Sequence, residues 1–296
     1  MSGSAAPFSV RGLRSRLRPE LPEVETVRRG LVPRMVGRRI VRLLQHRRDL
    51  RLPMPAQFAK KVEGRTVRAI DRRAKYLLFR LDDGNTLIAH LGMSGRMTLH
   101  DAASAAEHPF DRHDHVVFET DEGWQVRFND ARRFGLMLLA ADAALAKHKL
   151  FKGLGPEPLG DDFDGAVLAA RLKGRRTPIK AALLDQKTLV GVGNIYACEA
   201  LFLAGISPRR SSHTIQGERA DKLVAAIKKV LQRSIEDGGS TLRDHVQPGG
   251  ELGYFQTRFN VYDRAGIACP TRGCVRTVRR LVQAGRSTFY CAHCQR

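Results

Sequence analysis

At 296 residues, with 43% of them hydrophobic, the chain is long enough for two packed cores and is neither disordered nor fibrous in composition. Lysine and arginine number 51 against 30 acids, a formal charge of +21, with an isoelectric point near 10.6. That imbalance points to a polyanion, nucleic acid before an anionic membrane, because no long basic amphipathic helix and no apolar run of transmembrane length stands out.

Residues 1–18 carry Arg11, Arg14, Arg16 and Arg18, several serines and no acid. The composition is like that of an organelle transit peptide. A disordered basic tail, or a start assigned too far upstream, is the preferred expectation. Pro19-Glu20-Leu21-Pro22-Glu23-Val24-Glu25-Thr26-Val27 then opens a helix. Pro22 suits its first turn, Glu23 and Glu25 lie near the positive end of the dipole, and Val24, Val27 and Leu31 recur at helical spacing. Pro33 is expected to block continuation.

Strands follow over Arg39–Leu44, Thr66–Ile70, Tyr76–Leu81, Thr86–Leu91, His115–Glu119, Trp124–Phe128 and Gly135–Ala140, with a short helix over Pro55–Glu63. Asp82-Asp83-Gly84-Asn85 and Asp121-Glu122-Gly123 read as turns. Many short strands at this spacing predict a β-sandwich with the Pro19 helix packed on it. Gly153, Gly155, Pro156, Pro158 and Gly160 mark a linker over 151–165. Beyond it the chain reads as helical, over 178–186, 195–204 and most clearly Asp221–Asp237, which Gly238-Gly239 ends. Between the first two of these lies Lys187-Thr188-Leu189-Val190-Gly191-Val192-Gly193-Asn194-Ile195-Tyr196. Its glycines let backbone approach a ligand, Asn194 reads as the N-cap of the next helix, and the free N–H groups there can hold a phosphate.

Four of the five cysteines form Cys269-x4-Cys274-x16-Cys291-x2-Cys294. Two close pairs flanking a hairpin, Thr277–Val282 and Arg286–Tyr290, predict a closed tetrahedral thiolate site for one structural zinc ion. The hairpin's arginines, among them Arg272, Arg276, Arg279 and Arg280, suit contact with DNA. Cys198 stands apart as a small buried residue. His113-Asp114-His115 has the look of a metal or acid–base cluster.

Three further strings complete a pattern: Arg72-Arg73-Ala74-Lys75-Tyr76-Leu77, His90-Leu91-Gly92-Met93-Ser94-Gly95 and Asp130-Ala131-Arg132-Arg133-Phe134-Gly135. With the Pro19 segment, the Gly191–Asn194 turn and the cysteines, they resemble the formamidopyrimidine-DNA glycosylases, base-excision enzymes that remove oxidised purines. The likeness runs from Pro19 to Arg296. It implies an α+β fold: an N-terminal β-sandwich with flanking helices (19–150), the linker, a helical helix–two-turn–helix domain (166–261) and a zinc-ribbon β-hairpin (262–296). It implies that Pro19, as an N-terminal secondary amine, is the nucleophile. Glu20 would protonate the sugar ring oxygen, with Glu23 as a supporting carboxylate. Lys75 would contact phosphate and assist the lyase steps, and Arg286 would assist the second elimination. Met93, Arg132 and Phe134 would enter the duplex and fill the gap left by an everted base, replacing lost stacking. His113 and Arg175 would contact phosphate, Lys180 would lie near the lesion strand, and Asn194 would bind DNA. Leu21 and the Met93/Arg132/Phe134 set resemble the purine branch and not the endonuclease VIII branch, which prefers oxidised pyrimidines. The implied partner is double-stranded DNA with oxidised bases or abasic sites. A monomer in the bacterial cytoplasm, associated with the nucleoid and not with a membrane, is expected.

One chemical condition attaches to Pro19. Behind Arg18 its nitrogen is a tertiary amide whose lone pair is in resonance with the carbonyl, and it cannot attack a sugar carbon. Three readings stay open. They are a bifunctional glycosylase/lyase beginning at Pro19, a damaged-DNA-binding protein without lyase activity, and a zinc-ribbon protein that binds RNA.

Overall fold

The structure is a computed structural model and describes residues 19–239 and 258–296. The expectations for residues 1–18 lie outside the described residues. Helix α1 (Leu21–Met35) buries Leu21, Val24, Val27, Leu31 and Met35. It is started by a reciprocal cap between Glu20 and Glu23: each side chain accepts the other residue's backbone N–H. Pro33 does not block it. The helix runs two residues past Pro33, because a proline this near the end removes only one late backbone bond.

The N-terminal half is a sandwich of two four-stranded antiparallel sheets. One has the order β1 (Ile40–Gln45), β6 (Asp114–Thr120), β7 (Gln125–Asn129), β5 (Arg96–His100). The other has β2 (Val67–Arg73), β3 (Tyr76–Leu81), β4 (Asn85–His90), β8 (Leu136–Ala141). Their inner faces share one core, with Leu43, Phe118 and Phe128 meeting Leu77, Phe79 and Met137, and α1 closes it. Strand β5 was not predicted. Its apolar residues alternate, but it follows the glycine-rich Leu91–Gly95 loop. Helix α2 (Phe58–Val62) is shorter than predicted, and α3 (Ala102–Glu107) and α4 (Asp142–Leu145) are further short helices.

A second core lies beyond residue 155. It joins α5 (Gly165–Leu172), α6 (Ile179–Leu184), α7 (Asn194–Leu203) and α8 (Glu218–Glu236), with Leu223, Ile227, Val230 and Leu231 of α8 buried in it. The hairpin β9 (Arg279–Gln283) and β10 (Arg286–Tyr290) packs on this core through Val278 and Phe289. Among the described residues, no helix is long and apolar enough to cross a membrane.

Candidate active site

A cavity of about 750 Å³ opens where the sandwich, the helical half and the hairpin meet. Pro19, Glu20, Lys75, Met93, Phe134, Asn194 and Arg286 line it together, although they come from six separate stretches of the chain. Arg51, Tyr76, His90, Gln186 and Tyr262 line it as well and were not singled out from the sequence. His90 opens the string that contains Met93, and Tyr76 follows Lys75. Both were within quoted motifs. The rings of Tyr76 and His90 meet at a tilt of 54° with their centres 4.8 Å apart.

Glu20 is seated by the second half of the molecule. The Leu21 N–H donates to the Gly191 carbonyl at 3.0 Å, and the Asn194 N–H donates to Glu20 Oε1 at 2.9 Å. Burial pushes the Glu20 carboxyl up to about 8, against the opposing pull of Lys75. Its Oε2 is buried and has no hydrogen-bond partner among the described residues. The carboxyl presses on Gly193 so closely that a Cβ there would lie 1.9 Å from it. Gly193→Ala should therefore displace Glu20 by the order of an ångström and slow any step that uses its proton about a hundredfold. Single-turnover rates measured beside a melting curve check this, since the substitution should cost little elsewhere. Glu23 accepts the Glu20 N–H at 2.9 Å and the Tyr196 hydroxyl, which also meets Ser234 Oγ at 2.8 Å. The supporting carboxylate is thus tied to α7 and α8.

Lys75 stands at the tip of the β2–β3 turn, where Ala74 adopts a positive φ of 53°. Glu157 holds that tip. Its carboxylate accepts from Arg72 at 2.7 Å, from Arg73 at 2.8 Å and from the Ala74 N–H at 2.6 Å. Burial works to raise the Glu157 carboxyl, but Arg72 and the Ala74 N–H outweigh it and hold it below the ordinary 4.5. A depressed folded value stabilises above pH 4.5 and is lost as pH falls below it. Glu157→Gln should cost about 2 kcal/mol at neutral pH, and the difference from the parent should shrink on acidification. Thermal melting across that range tests this. The linker glutamate carried no sequence signal beyond its place in a turn-rich stretch.

The loops holding Met93 and Phe134 are locked together. Ser94 Oγ donates to Asp130 at 2.6 Å, and the Gly135 N–H donates to the same carboxylate at 2.7 Å. Gly92 has a φ of +71° and packs on the Phe134–Gly135 peptide, where a Cβ would lie 2.4 Å from backbone atoms. Phe134 is 43% exposed, and the Arg132 guanidinium lies 4.7 Å over its ring. An exposed aromatic stiffened by an arginine at a cavity rim is suited to entering a base stack.

The N-cap expectation changes. Asn194 is the first residue of α7 and not its N-cap; Gly193 holds that position. The Asn194 side chain instead bonds to Lys180 Nζ at 2.6 Å and to the Ser287 carbonyl at 3.0 Å. Lys180 is fully buried, and its ammonium also donates to the Ser287 carbonyl and to Thr288 Oγ1. With three partners inside the protein, and desolvation lowering its pKa, it ties the hairpin to α6 and α7. Arg175 pairs with Asp185 at 2.8 Å and lies outside the cavity. His113 also lies outside it, but its carbonyl accepts the Asp130 N–H at 3.1 Å, next to the Arg132–Phe134 loop. Among the described residues, the His113–His115 stretch belongs to no metal-ligating cluster; the His115 ring bonds to the Asp130 carbonyl.

Cys269, Cys274, Cys291 and Cys294 bring their sulfurs within 4.8 Å of one another. Two of the separations, Cys269–Cys294 and Cys274–Cys291, are 3.8 Å. A tetrahedron with metal–sulfur bonds of about 2.3 Å has an edge of about 3.8 Å, so the donors fit one metal ion. Cys198 is buried in α7, and burial pushes its thiol up to about 11.

Two family models match the chain. The formamidopyrimidine-DNA glycosylase N-terminal domain covers residues 18–137, and the H2TH domain of the same enzymes covers 154–246. The formamidopyrimidine-DNA glycosylase of Beijerinckia indica is 54% identical over 287 residues, spanning 94% of this chain and 100% of the relative. The crystal structure of the MutM (Fpg) protein from Thermus thermophilus superposes with a TM-score of 0.81 at 41% identity, covering 94% of this chain and 98% of that one. A Lactococcus lactis FPG mutant in complex with DNA containing Fapy-dG superposes with a TM-score of 0.83 at 34% identity, covering 94% and 99%. Fold, cavity and matches together define a DNA glycosylase of base-excision repair. The chain belongs to the formamidopyrimidine-DNA glycosylase family.

Proposed function

We propose that the protein removes oxidised purines, 8-oxoguanine and formamidopyrimidines, from double-stranded DNA and then cuts the abasic strand by successive β- and δ-elimination. The observation that carries this reading is the convergence of Pro19, Glu20, Lys75 and Arg286 in one cavity beside the Met93 and Phe134 loops. The Pro19 amine attacks C1′ as the bond to the base breaks, and the base leaves with the bonding pair and takes up a proton. A carboxyl held neutral to about pH 8 can give its proton to the sugar ring oxygen, which opens the ring to an iminium on Pro19. Loss of a C2′ proton then expels the 3′ phosphate. Lys75 and Arg286, which both line the cavity, supply positive charge for the phosphates.

The chemistry needs a free secondary amine, so the active form is one whose first residue is Pro19. A form that keeps residues before Pro19 has an amide there and acts only as a binder of damaged DNA. The metal is zinc. Four thiolates leave it no open position, and its role is to hold the hairpin that carries Arg286. The protein works as a monomer on DNA in the bacterial cytoplasm.

The test is a Pro19-first preparation incubated with a duplex containing 8-oxoguanine. Excision with strand cleavage is expected, and the same preparation should act far more weakly on oxidised pyrimidines. Preference for the pyrimidine lesions would move the protein to the endonuclease VIII branch, and equal affinity for undamaged RNA would favour the RNA-binding reading.

A further inference from the structure

Among the described residues, the phenylalanines that remain exposed are Phe110, at 45%, and Phe134, at 43%. Phe134 is the rim residue with Arg132 over its ring. Phe110 is built the same way on the outer face of the first sheet. The Arg127 guanidinium lies 4.6 Å over its ring, and the His46 ring meets it edge-on at 5.4 Å. Arg127 is itself buried and is fixed by the His108 carbonyl at 2.7 Å and by Gln125. Holding a large apolar ring outward in one orientation reduces the entropy cost of a later contact.

Phe110 does not line the cavity, and the inference rests on the function proposed above. The His46 N–H donates to the His115 carbonyl, and the His115 ring bonds to the Asp130 carbonyl, so the shelf and the Arg132–Phe134 loop share one frame. Arg47 and Arg48, next to His46 in the chain, and Arg112, two residues after Phe110, are exposed. The opposing charges are Asp49, which is 3.5 Å from Arg47 and 3.8 Å from Arg133, Asp111, which accepts the His113 N–H, and the buried Asp114, which accepts the Asp111 N–H and faces the further cation Arg127. The patch stays net positive beside a proposed DNA interface, and a duplex continues past any lesion on both sides.

We propose that Phe110, with Arg47, Arg48 and Arg112, is an accessory contact for the duplex flanking the lesion. The arginines take phosphates and the ring lies against deoxyribose. This surface adds affinity and plays no part in the chemistry.

The test measures binding of the Pro19-first protein to duplexes with a stable abasic-site analogue, one long on both sides and two truncated on either side. Fluorescence anisotropy at several salt concentrations is the readout. The parent should prefer the long duplex over one of the truncated ones. Phe110→Ala should weaken binding of the long duplex about fivefold, leave that truncated duplex unaffected and keep the salt slope. Arg48→Gln, on an exposed side chain that folding does not need, should lower the salt slope by about one for the long duplex only. Phe110→Leu still covers Arg127 and should fall between parent and alanine. Parent-like binding by both Phe110→Ala and Arg48→Gln overturns the proposal. So does a loss that is equal for every duplex and accompanied by a lower melting temperature, which would make Phe110 a cover for Arg127 only. A parent protein that binds none of the lesion duplexes removes the underlying DNA reading instead.

Discussion

Glu20→Gln is expected to slow single-turnover excision of 8-oxoguanine by about 10²–10⁴-fold while lesion binding stays within a few-fold of the parent. The amide keeps an oxygen for the Asn194 N–H, so the 2.9 Å contact that seats the side chain survives. What disappears is the proton on a carboxyl that burial holds neutral to about pH 8. The rate of the parent should fall as pH rises through that value, and a cationic Pro19 amine beside the carboxyl draws the limb lower. The variant should lack the limb altogether. Stability should move the other way. An unfolded glutamate ionises near 4.5 and the folded one near 8, so the folded state holds the extra proton and loses stability as pH rises between these values. The neutral glutamine escapes that cost and should melt higher at pH 8 than the parent. Excision rates with melting curves across pH test both signs. A rate loss below tenfold would remove Glu20 from the proton-transfer step.

Stripping the metal should do nearly as much damage by a different route. The hairpin has little core of its own beyond Val278 and Phe289, and four sulfurs within 4.8 Å hold its base. Ser287 and Thr288 bond to Lys180, and Ser287 bonds to Asn194, so loosening β10 releases one wall of the cavity together with Arg286. Chelation under denaturing conditions followed by metal-free refolding, or Cys291→Ser, should cut lesion-DNA affinity and excision by about 10²-fold or more. Metal analysis should find one zinc per chain in the active protein. Full activity in protein free of metal would contradict this account of the hairpin.

The fold was legible where local chemistry and long-range packing agreed. Strands Tyr76–Leu81 and Arg286–Tyr290 match their predicted bounds, because turn residues border them, Asp82-Asp83-Gly84 after the first and Ala284-Gly285 before the second. Pro33 misled because a proline costs a helix one backbone bond and a local clash without ending it at once, and α1 continues for two residues beyond it. Asn194 misled because a good capping residue was preceded by a glycine that had to be there for Glu20 to fit. The site was legible only as separate strings. Spacing along the chain cannot show that Lys180 is buried against β10, or that Arg175 pairs with Asp185. Nor can it show that Glu157, 82 residues beyond Lys75, sets the turn that presents it. His90 and Tyr76 escaped notice because a histidine and a tyrosine at strand ends have many ordinary uses, and only the cavity tells which applies.

The central claim is that the Pro19 nitrogen is the nucleophile, and borohydride trapping tests it most directly. The protein purified from its own host would be mixed with 8-oxoguanine duplex and borohydride, and the cross-linked peptide mapped by mass spectrometry beside the intact mass of the free protein. The account predicts chains beginning at Pro19 and a reduced adduct on that residue, with none from any chain that retains Arg18. An adduct on Lys75, or no adduct from a Pro19-first chain that still binds the lesion, would contradict it.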